Sequence, residues 1–166
     1  AAVLSAANLV PWIGVAVILV VVILHLRWSH QPGRELALVL ICAGIGAAFD
    51  SVLVAAGWVA YPSGQVIAGV APYWIVAMWM SFATTLNVSL RWLRSRRLLA
   101  AACGFVGGPL AYYAGAQLGG IVLTDFAASM LMLGIGWGVM MPALLALSRR
   151  FDGRQAPAAG QPLIME

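Results

Sequence analysis

Lysine is absent from this chain of 166 residues, and acids are few: five Asp and Glu stand against nine Arg. Only 8% of the residues are charged, where a soluble domain carries about a quarter. At this length a water-soluble core cannot hide a sequence that is 63% hydrophobic, so a soluble globular fold is excluded. Cysteine is nearly absent too. Cys42 and Cys103 show neither CxxC nor Cys/His metal spacing, and each falls in the first half of an apolar run. That argues against a disulfide and against a metal site, and no cofactor is implied. No HExxH, GxSxG, P-loop or dinucleotide fingerprint occurs, and no nucleophile has an identifiable base. Whether the chain is an enzyme therefore stays open. The net charge of +4 belongs to links between apolar runs, so it is no argument for nucleic-acid binding.

What is present is hydrocarbon in long blocks. Pro72 to Leu93 contains no Asp, Glu or Lys, and Arg91 comes only at its end. As a helix it is about 33 Å long, enough for a hydrocarbon core of roughly 30 Å. Pro72 suits a first helical turn, Tyr73, Trp74 and Trp92 suit the interfaces, and Arg91, Arg94, Arg96 and Arg97 form a cationic stop. Along it Trp74, Met78, Ser81, Thr85, Ser89 and Trp92 share one stripe, while Asn87 points elsewhere. The stripe is read either as hydroxyls bonded to backbone and neighbouring helices or as the lining of a polar cavity.

The whole chain reads as an all-α, polytopic transmembrane helical bundle. Its five spans fall at about 11–28, 35–58, 72–93, 98–119 and 126–148, within one domain over 1–150. A mobile tail, 151–166, follows. The arginines stand at or after the ends of the first, third and fifth spans, and the links after the second and fourth carry none. This alternation predicts a cytoplasmic carboxyl terminus. The apolar opening AAVLSAAN, too short to span, is read as the back end of a further helix.

Glycine supplies the packing signals. Gly104, Gly108, Gly115 and Gly119 share a face of the fourth span, and Gly134 and Gly138 repeat the spacing in the fifth. Such faces press helices together, within the chain or against a second copy or another membrane protein. Gly107-Gly108-Pro109 predicts a kink or break in the fourth span, and Pro142 a kink in the fifth.

Two polar groupings remain. Asp50, the one acid deep in an apolar run, lies about 22 Å along its helix from Glu35. At similar depth the other spans offer Trp79, Ser81, Tyr112 and Tyr113. An intramembrane acid marks function by default, but one acid with hydroxyl partners also makes a helix–helix clasp. The second grouping is at the arginine end: Glu35, Asn87, Ser89, Arg91 and Arg94, with His25 and His30 nearby. It is a candidate seat for an anionic lipid head group, or ordinary topology-setting charge. Glu35 is read as a carboxylate in a first helical turn, or as a salt-bridge partner of Arg34 or Arg91.

Four stretches together carry a resemblance: REL at 34–36, the Gly46-to-Asp50 run leading to Leu53 and Gly57, PYWIVAMWMSFATTLNVSLRWL, and GGPLAYYAG at 107–115. They resemble the bacterial DUF2878 family of small inner-membrane proteins of unassigned activity, over nearly the whole chain. The resemblance implies the bacterial inner membrane and a further apolar segment in front, hence six spans in the intact protein. It also implies a genomic setting near lipid-modifying enzymes. Three functions follow as expectations: a lipid-binding or lipid-processing accessory with membrane lipids as partners, a small proton-coupled transporter using Asp50, or a non-catalytic assembly subunit.

Overall fold

A computed structural model describes residues 11–154 of the chain. The apolar opening segment and the tail beyond 154 lie outside the described residues. Five α-helices are described: α1 (Pro11–Arg27), α2 (Pro32–Ala55), α3 (Tyr73–Leu86), α4 (Arg97–Gln117) and α5 (Phe126–Arg150). A 3₁₀ helix, Arg91–Ser95, links α3 to α4. α2, α4 and α5 are long and apolar enough to cross a membrane, whereas α1 and α3 are shorter apolar helices. The 14 residues of α3 rise about 21 Å, less than a hydrocarbon core of roughly 30 Å.

α4 and α5 form one closely packed pair, and α1, α2 and α3 form a second group in which α3 touches both others. Glycine explains the first contact. A Cβ on Gly104 would lie 2.2 Å from the carbonyl oxygen of Trp137, and one on Gly108 would lie 2.3 Å from its ring. Gly104 and Gly108 are thus covered by α5 of the same chain, whereas Gly119 lies past the end of α4 with φ of 75°. α4 runs unbroken through Gly107-Gly108-Pro109, and α5 through Pro142, so the helix interruption expected at the first site is not found.

Two strands of two residues, β1 (Val59–Ala60) and β2 (Val122–Leu123), pair antiparallel and join the α2–α3 and α4–α5 links at one end of the bundle. At the opposite end the α1–α2 turn, the 3₁₀ segment and the chain after α5 are hydrogen-bonded to one another. All nine arginines gather at this second end, as their alternation along the sequence requires.

The third apolar run departs most from expectation. Its helix stops at Leu86 and not at Leu93. The cause is Asn87, 2% exposed, whose side chain is held by Glu35 and Arg94. The backbone turns there, and the carbonyl of Thr85 receives both Val88 N–H and Leu90 N–H. Ser89 and Trp92 therefore leave the stripe that the sequence drew and become exposed. Between α2 and α3 the loop folds back: Trp74 Nε1 donates to the Ser63 carbonyl and Ala71 N–H to Ser51 Oγ. Gly64 makes this possible, with φ of 84° and the Trp74 ring where a side chain would stand. Outside the core a belt of bare apolar residues remains, among them Val20, Ile23, Leu110 and Val139, each more than half exposed. Water would penalise such a belt; lipid would not.

Candidate functional site

Asp50 is wholly buried, and both oxygens of its carboxyl group accept from side-chain donors on three other segments. Tyr61 Oη donates to Oδ1 at 2.6 Å and Tyr112 Oη to the same oxygen at 2.5 Å, while Trp79 Nε1 donates to Oδ2 at 2.7 Å. Local structure explains why these reach. Gly46, one turn before Asp50 on α2, leaves room for the Trp79 ring; a Cβ there would fall 2.0 Å from it. Trp79 then stacks on Trp137 of α5 at a centroid distance of 4.7 Å. Tyr61 arrives through the β1–β2 pairing. Burial, followed by the charge of Asp50, pushes the Tyr61 hydroxyl above its ordinary range, so it remains a proton donor.

Beside this cluster is an apolar crevice of about 170 Å³, lined by Ile75, Met78, Trp79, Phe82, Tyr112 and Trp137 among others. α3 and α4, which form two of its sides, make little direct contact with each other. Of the residues grouped with Asp50 from sequence, Trp79 and Tyr112 are in contact with it. Ser81 is half-buried and does not reach the carboxylate, and Tyr113 faces outward against Phe126 at 5.9 Å. Each residue along a helix turns the side chain by about 100°, so Tyr113, one step from Tyr112, and Ser81, two steps from Trp79, point away from the carboxylate. Tyr61 was missed, since nothing in a loop sequence reports which strand will carry it inward.

At the arginine end a second buried carboxylate organises a longer chain of bonds. Glu35 is fully buried; Oε2 is 2.9 Å from His25 Nε2, and Oε1 accepts from Asn87 Nδ2 at 2.7 Å and Gly153 N–H at 2.9 Å. Glu35 stands in the first turn of α2, as read from sequence, but its partners are not Arg34 or Arg91: it is an interior acceptor shared by three other segments. Asn87 relays the connection, because its Oδ1 accepts from Arg94. Arg94 also donates to Asp152 Oδ2 at 2.8 Å and to Ser148 Oγ at 3.2 Å, and Arg91 reaches the same Asp152 oxygen at 2.9 Å. Burial opposes the charge on Asp152. The bonds from Arg94 and the Arg154 amide, with the charges of Arg94 and Arg91, outweigh it and hold the carboxyl below the usual carboxylate range.

The segment 151–154 is therefore a strap. Gly153 O accepts from Gln31 N–H at 2.9 Å and Ser29 Oγ at 2.8 Å, and Arg154 Nη1 reaches the Trp28 carbonyl at 2.9 Å. Residues 151–154, read from sequence as the start of the tail, are tied to the bundle by these bonds; the rest of that segment lies outside the described residues. Glu35, Asn87, Arg91 and Arg94 are brought together as predicted, whereas Ser89 is exposed and outside the network. Asp152, Ser148 and Gly153 were missed; the one sequence signal was an acid just past a helix ending in Arg149-Arg150.

Arg149, which donates to the Arg94 carbonyl, is exposed together with Arg96 and Arg97, and the three line a cleft of about 690 Å³ with Arg94, Ser95 and Leu98. Among the described residues no group of three or more His, Cys, Asp or Glu is placed to hold a metal ion.

The class these features define is an all-helical bundle carrying three helices of membrane-spanning length and apolarity, with its cations at one end. The chain belongs to the family described as protein of unknown function (DUF2878), whose model matches residues 1–143. No curated protein and no solved structure matches it.

Proposed function

We propose that this protein is an inner-membrane lipid-binding accessory protein that seats an anionic lipid head group at its arginine end. The observation carrying this reading is the cleft formed by Arg94, Arg96, Arg97 and Arg149, whose lining contains no carboxylate. Arg94 is consumed by Asp152 and Arg149 gives one N–H to the Arg94 carbonyl, which leaves Arg96, Arg97 and the remaining N–H groups of Arg149 for an external anion. Exposed Leu98 and Trp92 flank them, the pairing of apolar and cationic groups that suits a bilayer interface. The sequence-derived site shifts outward accordingly: Glu35 and Asn87 brace the site from behind and do not touch the lipid.

Binding fits better than processing, because the three buried carboxylates among the described residues, Glu35, Asp50 and Asp152, are all engaged by protein donors. The three side-chain donors held by Asp50 weigh against the carrier reading, in which that group would exchange a proton during transport. The arginine end faces the cytoplasm in this reading, opposite the β1–β2 end.

Each arginine near an anionic surface contributes about 1 kcal/mol, so three give roughly a 100-fold preference for anionic over zwitterionic lipid. Nanodiscs of mixed phosphatidylglycerol and phosphatidylcholine, with retained lipid read by native mass spectrometry, test this. The triple variant Arg96→Gln, Arg97→Gln, Arg149→Gln should lose most of the preference. Undiminished retention of phosphatidylglycerol would sink the reading.

A further inference from the structure

We propose that the crevice between α3 and α4 is the seat of one hydrocarbon chain of a membrane lipid. The inference rests on the lipid-embedded, lipid-binding reading above and adds a second, apolar contact at the other end of the bundle.

Three observations carry it. The first is chemistry: the lining is almost wholly hydrocarbon and aromatic ring, with Trp79 and Tyr112 turning their polar atoms away to Asp50, and the one other side-chain polar atom, Trp137 Nε1, buried without a hydrogen-bond partner among the described residues. Water needs two or more polar partners to occupy a space, and this wall offers few. The second is size. An apolar cavity of about 150 Å³ in a protein core stays dry yet admits benzene, so about 170 Å³ accommodates several methylenes of a chain. The third is access: α3 and α4 scarcely touch, and Ala111, exposed on α4, stands at the edge of the crevice while Tyr112 and Trp79 are buried at its back. A crevice of this kind inside a bilayer is filled by what the bilayer supplies. An empty one would forfeit the dispersion contacts of its whole lining.

The occupant therefore packs against the two indoles that bridge the halves of the bundle, Trp79 and Trp137. A chain there adds apolar contact between α3 and α4 that the protein's own side chains do not make.

Quenching of tryptophan emission by chain-brominated phosphatidylcholine tests this, because bromine quenches only on close approach. The Trp137 signal is taken as the difference between the protein and its Trp137→Phe variant, each folded by circular dichroism. Most of that signal should be lost in brominated bilayers. It should return when Ala111→Phe, or the milder Ala111→Leu, fills the mouth, and stay quenched in Ala114→Phe on an exposed face of the same helix. Unquenched Trp137 emission, or quenching indifferent to the residue at 111, would overturn the proposal. The probe lipid is zwitterionic, so failure of the arginine cleft to select anions leaves this result unaffected, and the reverse holds.

Discussion

Replacing Asp50 separates a clasp from a decorative polar residue, and the geometry sets the size of the effect. Three donors from the 59–71 loop, α3 and α4 converge on the two oxygens of one α2 side chain. Asp50→Ala would orphan all three. Side-chain hydrogen bonds within membrane proteins contribute about 0.6 kcal/mol on average and at most about 1.7, so the loss should be about 2–5 kcal/mol. Asp50→Asn is the more discriminating change. A carboxylate accepts on both oxygens, whereas an amide has one acceptor oxygen, so Asn serves the tyrosine pair or Trp79 but not both. Its cost should be about 1–2 kcal/mol, between wild type and Asp50→Ala. Reversible unfolding in mixed micelles, titrated with dodecyl sulfate and followed by helical circular dichroism, reads these differences. A double-mutant cycle sharpens them: Tyr112→Phe should cost about 0.6–1.7 kcal/mol alone and close to nothing in the Asp50→Ala background. If Asp50→Ala costs under about 0.5 kcal/mol, or if Tyr112→Phe costs the same in both backgrounds, the cluster does not hold the segments together.

Other outcomes follow from the arginine end and the glycine contacts. Asp152 has a lowered folded-state pKa, so its stabilisation is complete above the unfolded value of about 3.9 and is lost as pH falls through the lower folded value; Asp152→Asn should remove that acid dependence from a pH series of unfolding measurements. At neutral pH the same variant should lose about 2–3 kcal/mol, chiefly through Arg94, which is 9% exposed, and little through Arg91, which is 41% exposed. Gly108→Ala drives a methyl into the Trp137 ring and should cost about 1–3 kcal/mol, whereas Gly107→Ala, with nothing within 4 Å, should be neutral or slightly stabilising in the same assay. In a background with Cys42 and Cys103 replaced, cysteines at Val66 and Ser95, both exposed, should label with an impermeant maleimide from opposite sides of the membrane. Labelling from one side would refute the threading.

The sequence by itself determined the helical make-up of this protein and the end of the bundle that carries its cations. Composition alone excluded a watery core, the apolar runs located five helices to within a few residues at most ends, and the spacing of arginines assigned every cation to one end. Those are properties of single segments, read from length, hydropathy and charge. It also singled out Asp50, Trp79 and Tyr112, because an acid in oil requires donors and few were at the right depth. Tertiary structure alone decided which donors reach it. Tyr61 comes in directly after a two-residue strand whose pairing partner is some 60 residues away. Ser81 and Tyr113, equally plausible by depth, face the wrong way. The end of α3 was likewise invisible in hydropathy, because Leu86 to Leu93 is apolar enough to continue. A buried bond from Asn87 to Glu35, 52 residues apart, turned the chain instead. Periodicity records which face a residue occupies, but hydrogen-bond partners far apart in sequence are chosen only when the faces meet.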